Sequence, residues 1–177
     1  KALELQLEEG GLLGQILVKL QYVSQEQLDA NINEQENSFQ KLENVLVDIG
    51  IISYEQLNNA LTLQKRDGEI FVKVVIDLGF LSEEELVSTI VTQYGFPYLE
   101  LENYETDPEI IKLVPENIAR KYALIPVDRI GNILTLSMAD PLNNVIKEKI
   151  TEFTGLKVET FISTFSDINN AIANYYA

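Results

Sequence analysis

Histidine, cysteine and tryptophan are missing from the 177 residues, and methionine occurs once. The first two absences remove disulfides, thiolate nucleophiles, imidazole bases and the commonest zinc ligands. Positive charge is scarce: 13 Lys and Arg face 28 Asp and Glu, for a net charge of −15. A field of that sign repels nucleic acid and anionic lipid, slows the approach of a phosphate ligand and attracts a basic partner surface. Long hydrophobic runs are lacking too. The longest, residues 71–81, is interrupted by Lys73, Asp77 and Gly79 and falls short of the roughly 20 residues of a membrane span. No GxxxxGK[ST] segment is present, so this chain has no loop to cradle nucleotide phosphates. No signal-peptide pattern opens the chain, and the lack of cysteine agrees with a cytoplasmic setting. Lys1 stands where an initiator Met would be expected, which reads as a piece of a longer protein.

Apolar residues, by contrast, make up 46% of the chain, enough for a real core. They are organised by an internal repeat. LLGQILVKLQYVSQEQLDANINEQ (12–35), KLENVLVDIGIISYEQLNNALTLQ (41–64) and IFVKVVIDLGFLSEEELVSTIVTQ (70–93) are three copies of one 24-residue unit, separated by five residues each. A period of 29 residues implies stacked supersecondary units. Each copy reads as two short helices. The first helix carries apolar residues at helical spacing, such as Val45, Leu46 and Ile49, and is expected to end at Gly50 or Gly79, where a left-handed residue is needed; the first copy has Gln21 there. The second helix opens at Ser24, Ser53 or Ser82, with Gln27, Gln56 or Glu85 three positions on, a capping box. Val23, Ile52 and Leu81 precede the serines, and Leu28, Leu57 and Leu86 follow four residues later, which predicts a hydrophobic staple at each start.

After residue 94 the pattern changes. The acidic segment 94–109, punctuated by Gly95 and Pro97, reads as a connection with a short strand at YLEL. Asp107-Pro108 opens a helix over 109–122, broken near Pro115. LIPVDRIGNILTLSMAD (124–140) predicts a hairpin turning at Ile130-Gly131-Asn132. Asp140-Pro141 is expected to start a helix ending at Gly155, residues 157–164 alternate as a strand, and Ser166 is expected to cap a last helix through Ile168, Ile172 and Tyr175. The predicted fold class is α+β: an array of helical-hairpin repeats over 1–98, then a three-stranded sheet with packed helices over 99–177.

The run LIPVD…LTLSMADPLN…TG…V…DINNAI…YY resembles the N-terminal domain shared by type II secretion and type IV pilus-assembly ATPases. The helical repeats resemble the cyclic-di-GMP-binding motif pair at the front of that domain, where two 24-residue motifs with a five-residue spacer precede a Q-x-G-x-P-x segment. Here the pair corresponds to the second and third copies, followed by Gln93-Tyr94-Gly95-Phe96-Pro97-Tyr98, with the first copy as an extra unit. The resemblance implies a non-catalytic docking and regulatory domain on the cytoplasmic side of the inner membrane. Its partner would be an inner-membrane platform protein, with no nucleic acid bound and no insertion into the bilayer. ATP hydrolysis and hexamer formation would belong to a core outside this chain. The alternative it implies is a cyclic-di-GMP receptor module.

Binding motifs of the family resemble R-x-G-x-x-L-V-x-x-G. The Arg would supply a planar donor fork and the Gly a close backbone approach. Lys41 and Glu43 occupy those positions in the second copy, Ile70 and Val72 in the third, and Leu12 and Gly14 in the first. The remaining motif positions include Leu17, Leu46, Gly50 and Gly79. Glu43 would set a negative charge against a dianionic ligand, so the pattern favours docking without ligand or cofactor.

Other clusters have plainer readings. Glu83, Glu84 and Glu85 fill a first helical turn and complement its dipole. Glu100, Glu102, Glu105 and Asp107 lack the spacing and glycine of a calcium loop, and no catalytic residue or metal ligand is assigned. Lys65-Arg66 and Arg120-Lys121 read as solvated pairs. Phe96, Tyr98 and Tyr104 either anchor a partner or seal the two halves together.

Overall fold

A computed structural model describes residues 41–102 and 104–176, together with Ser24. The first repeat copy apart from Ser24, including Gly14 and Leu17, lies outside the described residues. Leu42–Ala177 forms one compact unit. Its elements are α1 (Leu42–Asp48), α2 (Tyr54–Asp67), α3 (Phe71–Asp77), α4 (Glu83–Tyr94), α5 (Pro108–Ile111), α6 (Glu116–Tyr122), β1 (Leu124–Ile130), β2 (Ile133–Met138), α7 (Asn144–Thr154), β3 (Lys157–Ile162) and α8 (Phe165–Tyr175). The chain is α+β, as the sequence predicts.

The two described repeats close locally. At Ser53 the hydroxyl accepts from Gln56 N–H at 3.2 Å, and Ser53 N–H donates back to Gln56 Oε1 at 2.8 Å. Ser82 and Glu85 do the same at 3.1 and 2.7 Å. Ile52, Leu57, Leu81 and Leu86 are all buried beside them. The ends of α1 and α3 are equally defined. Gly50, at φ 76°, donates to Val47 O while Ile51 N–H reaches Leu46 O; Gly79, at φ 67°, donates to Ile76 O while Phe80 N–H reaches Val75 O. This paired bonding around a left-handed residue satisfies carbonyls that the helix end would otherwise leave open. Ser53→Ala or Ser82→Ala should each cost about 1 kcal/mol in chemical denaturation; no loss in either variant would count against the role of the caps.

β2 is the middle strand, antiparallel to β1 and parallel to β3. Gly131, at φ 61°, and Asn132 make the β1–β2 turn. β1 is bulged between Pro126 and Asp128; with no N–H on Pro126, the ladder loses a donor there. Alternation along the strands builds two apolar layers. Leu134, Leu136 and Met138 face Ile146 and Ile150 of α7. Ile125, Val127 and Ile162 join Ile168 and Ile172 of α8 and the repeat residues Leu42, Leu46, Val72, Val75 and Ile90 in a single cluster. Residues on both sides of position 98 share that cluster.

Three local expectations are corrected. YLEL makes one parallel bridge, Tyr98 to Ile162, and no strand. The helix after β2 starts at Asn144, because Asp140 accepts from Leu142 N–H in a turn and Asn143 provides the cap to Ile146 N–H. Thr164, not Ser166, caps α8 through Asp167 N–H.

Candidate functional site

The motif positions fall into separate roles. Lys41 is exposed ahead of α1. Leu46 is fully buried and Val72 is 1% exposed, so these side chains are packed core. Ile70 is half-buried and packs against that core. Gly50 and Gly79 end their helices as described, and a Cβ on either would meet no neighbour within 4 Å. Their left-handed conformation, not close approach of another group, is what requires glycine there.

Glu43, in contrast, reaches a polar junction between α1 and the sheet. Asp140, at the end of β2, lies near it. Burial is the main influence that pushes the Asp140 carboxyl up to about 7; the Glu43 charge adds to it, while Leu142 N–H and Lys147 oppose it. Lys147, on α7, donates to Pro141 O at 2.8 Å and sits 5.6 Å from the centre of the Phe96 ring. Burial lowers its ammonium, with Asp140 and Glu148 opposing. One cation thus serves a carboxylate, a carbonyl and an aromatic face at the point where the repeats meet the lobe.

The connection is fastened to the sheet by its backbone. Ile162 N–H donates to Pro97 O and Leu99 N–H donates to Ile162 O, both at 2.9 Å. Ser163 Oγ donates to Leu99 O at 2.5 Å, leaving the buried Ser137 hydroxyl to donate to Ser163. Tyr175 Oη donates to Tyr104 O and accepts from Thr106 N–H. Of the three aromatic candidates, Phe96 and Tyr104 pack against the core, whereas Tyr98 is 46% exposed. Burial, with Asp167, Glu100 and Glu84 nearby, raises the Tyr98 phenol.

A contact absent from the sequence reading joins α4 to α8. The Glu83 carboxylate accepts from Ser166 N–H at 2.9 Å and from its hydroxyl at 2.6 Å. Glu83 is therefore more than a dipole partner for its own helix. A separation of 83 residues leaves no local signal for it.

Among the described residues no cluster of acidic side chains is arranged to hold a metal ion, and no helix is long and apolar enough to cross a membrane. Capped helical hairpins sharing a core with a β1-β2-β3 sheet define an N-terminal domain of the kind that pilus-assembly and secretion ATPases carry. The model of the MshEN domain matches residues 94–177. The solved structure of MshE with cdg (cyclic di-GMP) is 30% identical, covers 77% of this chain and 99% of that one, and superposes with a TM-score of 0.55. The chain belongs to the MshEN domain family. Type IV pilus assembly ATPase PilB of Myxococcus xanthus is 39% identical over 85 residues, and PilB of Thermus thermophilus 30% identical over 90. These alignments cover 48% and 50% of this chain and 15% and 10% of the relatives, so the chain spans only a small part of their length. The N-terminal domain of XpsE, 23% identical with a TM-score of 0.54 over 72% of this chain and 89% of that one, shares the fold.

Proposed function

We propose that this domain is a non-catalytic docking and regulatory module of a type IV pilus-assembly or type II secretion ATPase, and that it grips the cytoplasmic part of an inner-membrane platform protein. The observation that carries this reading is the continuous core that joins the repeat helices to the sheet in a chain whose family is that of ATPase N-terminal domains. Such a body can pass a force or a displacement from a partner on one side to an ATPase core on the other. Hydrolysis itself is assigned to residues outside this chain, which has no phosphate-cradling loop.

A second reading, reception of cyclic di-GMP, is favoured by one observation: MshE, solved with cdg, resembles this chain over three quarters of its length. Against it stand Glu43, whose charge would oppose a dianion, and Val72, whose side chain fills core where the motif has Gly. Calorimetry separates the readings. The docking reading expects saturable binding of the platform protein's cytoplasmic domain and no heat from cyclic di-GMP at high micromolar concentration. Saturable binding of cyclic di-GMP would make the domain a second-messenger receptor, and failure to bind the platform domain would remove the docking reading.

A further inference from the structure

An open groove of about 400 Å³ runs between α6 and α7, floored by Ile146 and Ile150 and flanked by Ile118, Tyr122, Lys149 and Phe153. Three features set it apart. The first is its lining, which contains no Asp or Glu, although the chain has 28 of them. The acidic side chains of α7, Glu148 and Glu152, line a different cavity, on the side of Lys157 and Glu159. The second is its charge. Among the described residues Lys149 is exposed and has no ion pair, and Lys121, next in sequence to the lining residue Tyr122, has its ammonium 5.4 Å from the Tyr122 ring. Most other cations of the described residues are committed: Arg66, Lys73, Lys112, Arg120 and Lys157 to carboxylates. The third is Phe153, which stands 70% exposed at the groove edge.

We infer that this groove is the seat of an amphipathic helix from a partner protein, with apolar anchors facing the groove and carboxylates flanking them; the inference rests on the docking reading above. Ile146, Lys149, Ile150 and Phe153 follow i, i+3, i+4, i+7 spacing, a row about 10 Å long at ~1.5 Å per residue, in which Lys149 and Phe153 are exposed and Ile146 and Ile150 are buried beneath them. That length matches a helix presenting anchors over two turns. A projecting aromatic over an apolar floor is the usual form of a binding anchor, and unpaired ammonium groups beside it select carboxylates over cations.

Two probes on the full chain test this. The first is a synthetic helix-forming peptide with Leu at i, i+4 and i+7 and Glu on both flanks, followed by nuclear magnetic resonance, alongside a counterpart with Lys for each Glu. Shifts should be confined to α6 and α7, and Phe153→Ser and Lys149→Glu should each weaken binding about tenfold. The exposure of Phe153 means its loss leaves the core intact, which the melting temperature verifies. No saturation at millimolar peptide, or equal binding of the Lys counterpart, overturns the inference. Phosphatidylcholine vesicles containing phosphatidylglycerol that retain the wild type and release Phe153→Ser would overturn it in favour of a membrane surface. The second probe is the platform protein's cytoplasmic domain. Equal binding to wild type and both variants removes the groove inference and leaves docking intact. No binding to wild type removes the docking reading, and the peptide result then decides the groove.

Discussion

An Asp140→Asn variant is expected to be more stable than the wild type at pH 8 by about 1–2 kcal/mol and to match it near pH 4. Burial holds the folded carboxyl near 7 against an ordinary value of 3.8. The folded state therefore binds a proton that the unfolded chain has already released across that window. Where the folded state holds more protons, stability falls as pH rises; the wild type loses stability between about pH 4 and pH 7 and regains none above it. A separation of three pH units corresponds to about 4 kcal/mol at ~1.4 kcal/mol each. Asp140 keeps part of its surface in water, which brings the expected gain to about 1–2 kcal/mol. Asn retains an oxygen to accept from Leu142 N–H, so the turn ahead of α7 survives. Glu43→Gln should stabilise over the same range by less, because the Glu43 charge is the smaller cause. Denaturant unfolding at pH 4, 6 and 8 checks this; a gain independent of pH would mean that packing or the turn, and not the charge, sets the difference.

Ile162→Ala should cost about 3 kcal/mol, within the ~2–5 kcal/mol of a buried Ile truncation. Ile162 is 0% exposed, pairs with Met138 across β2–β3 and bonds the connection through both its backbone groups. Its side chain belongs to the cluster that holds the repeat helices. The loss should therefore appear on both sides of residue 98. Amide exchange in α2 and in β2 should accelerate together, and the melting temperature should fall by roughly 10 °C. Acceleration limited to β1–β3 would show that the hairpins are held independently of the sheet.

What the sequence reveals about this domain tracks the distance over which each interaction acts. The capping boxes at Ser53 and Ser82, the staples beside them and the left-handed glycines 50 and 79 involve residues within six positions of one another, and repetition at a fixed period makes them plain. The hairpin and β3 follow from alternation. The misplaced starts have local competitors: Asn143 offers the chemistry of Asp140 three residues later, and Thr164 that of Ser166 two residues earlier. Pro141 points to the earlier helix start because its fixed φ suits a first helical turn; the structure spends it on a turn. Glu83 with Ser166, and Glu43 near Asp140, depend on the order of strands in the sheet, which no spacing encodes. The groove is hidden for the same reason. Helical i, i+4 spacing marks Ile146 and Ile150 as buried, but only the sheet brings α6 beside α7 and leaves Lys149 without a paired acid among the described residues.

The Leu99–Ser163 bond joins residues 64 apart, and that separation sets an order on folding during synthesis. Helices α1 to α4 carry their own caps and can form as they leave the ribosome. The sheet segment that completes their core, Ile162, emerges more than 60 residues after α4. At ~5–20 residues per second, the apolar faces of both hairpins wait several seconds or more for their cover. During that interval Leu42, Val72 and Ile90 are exposed to other chains. The acidic composition of the domain then serves a purpose apart from any partner: like charge holds neighbouring nascent copies apart until β3 arrives.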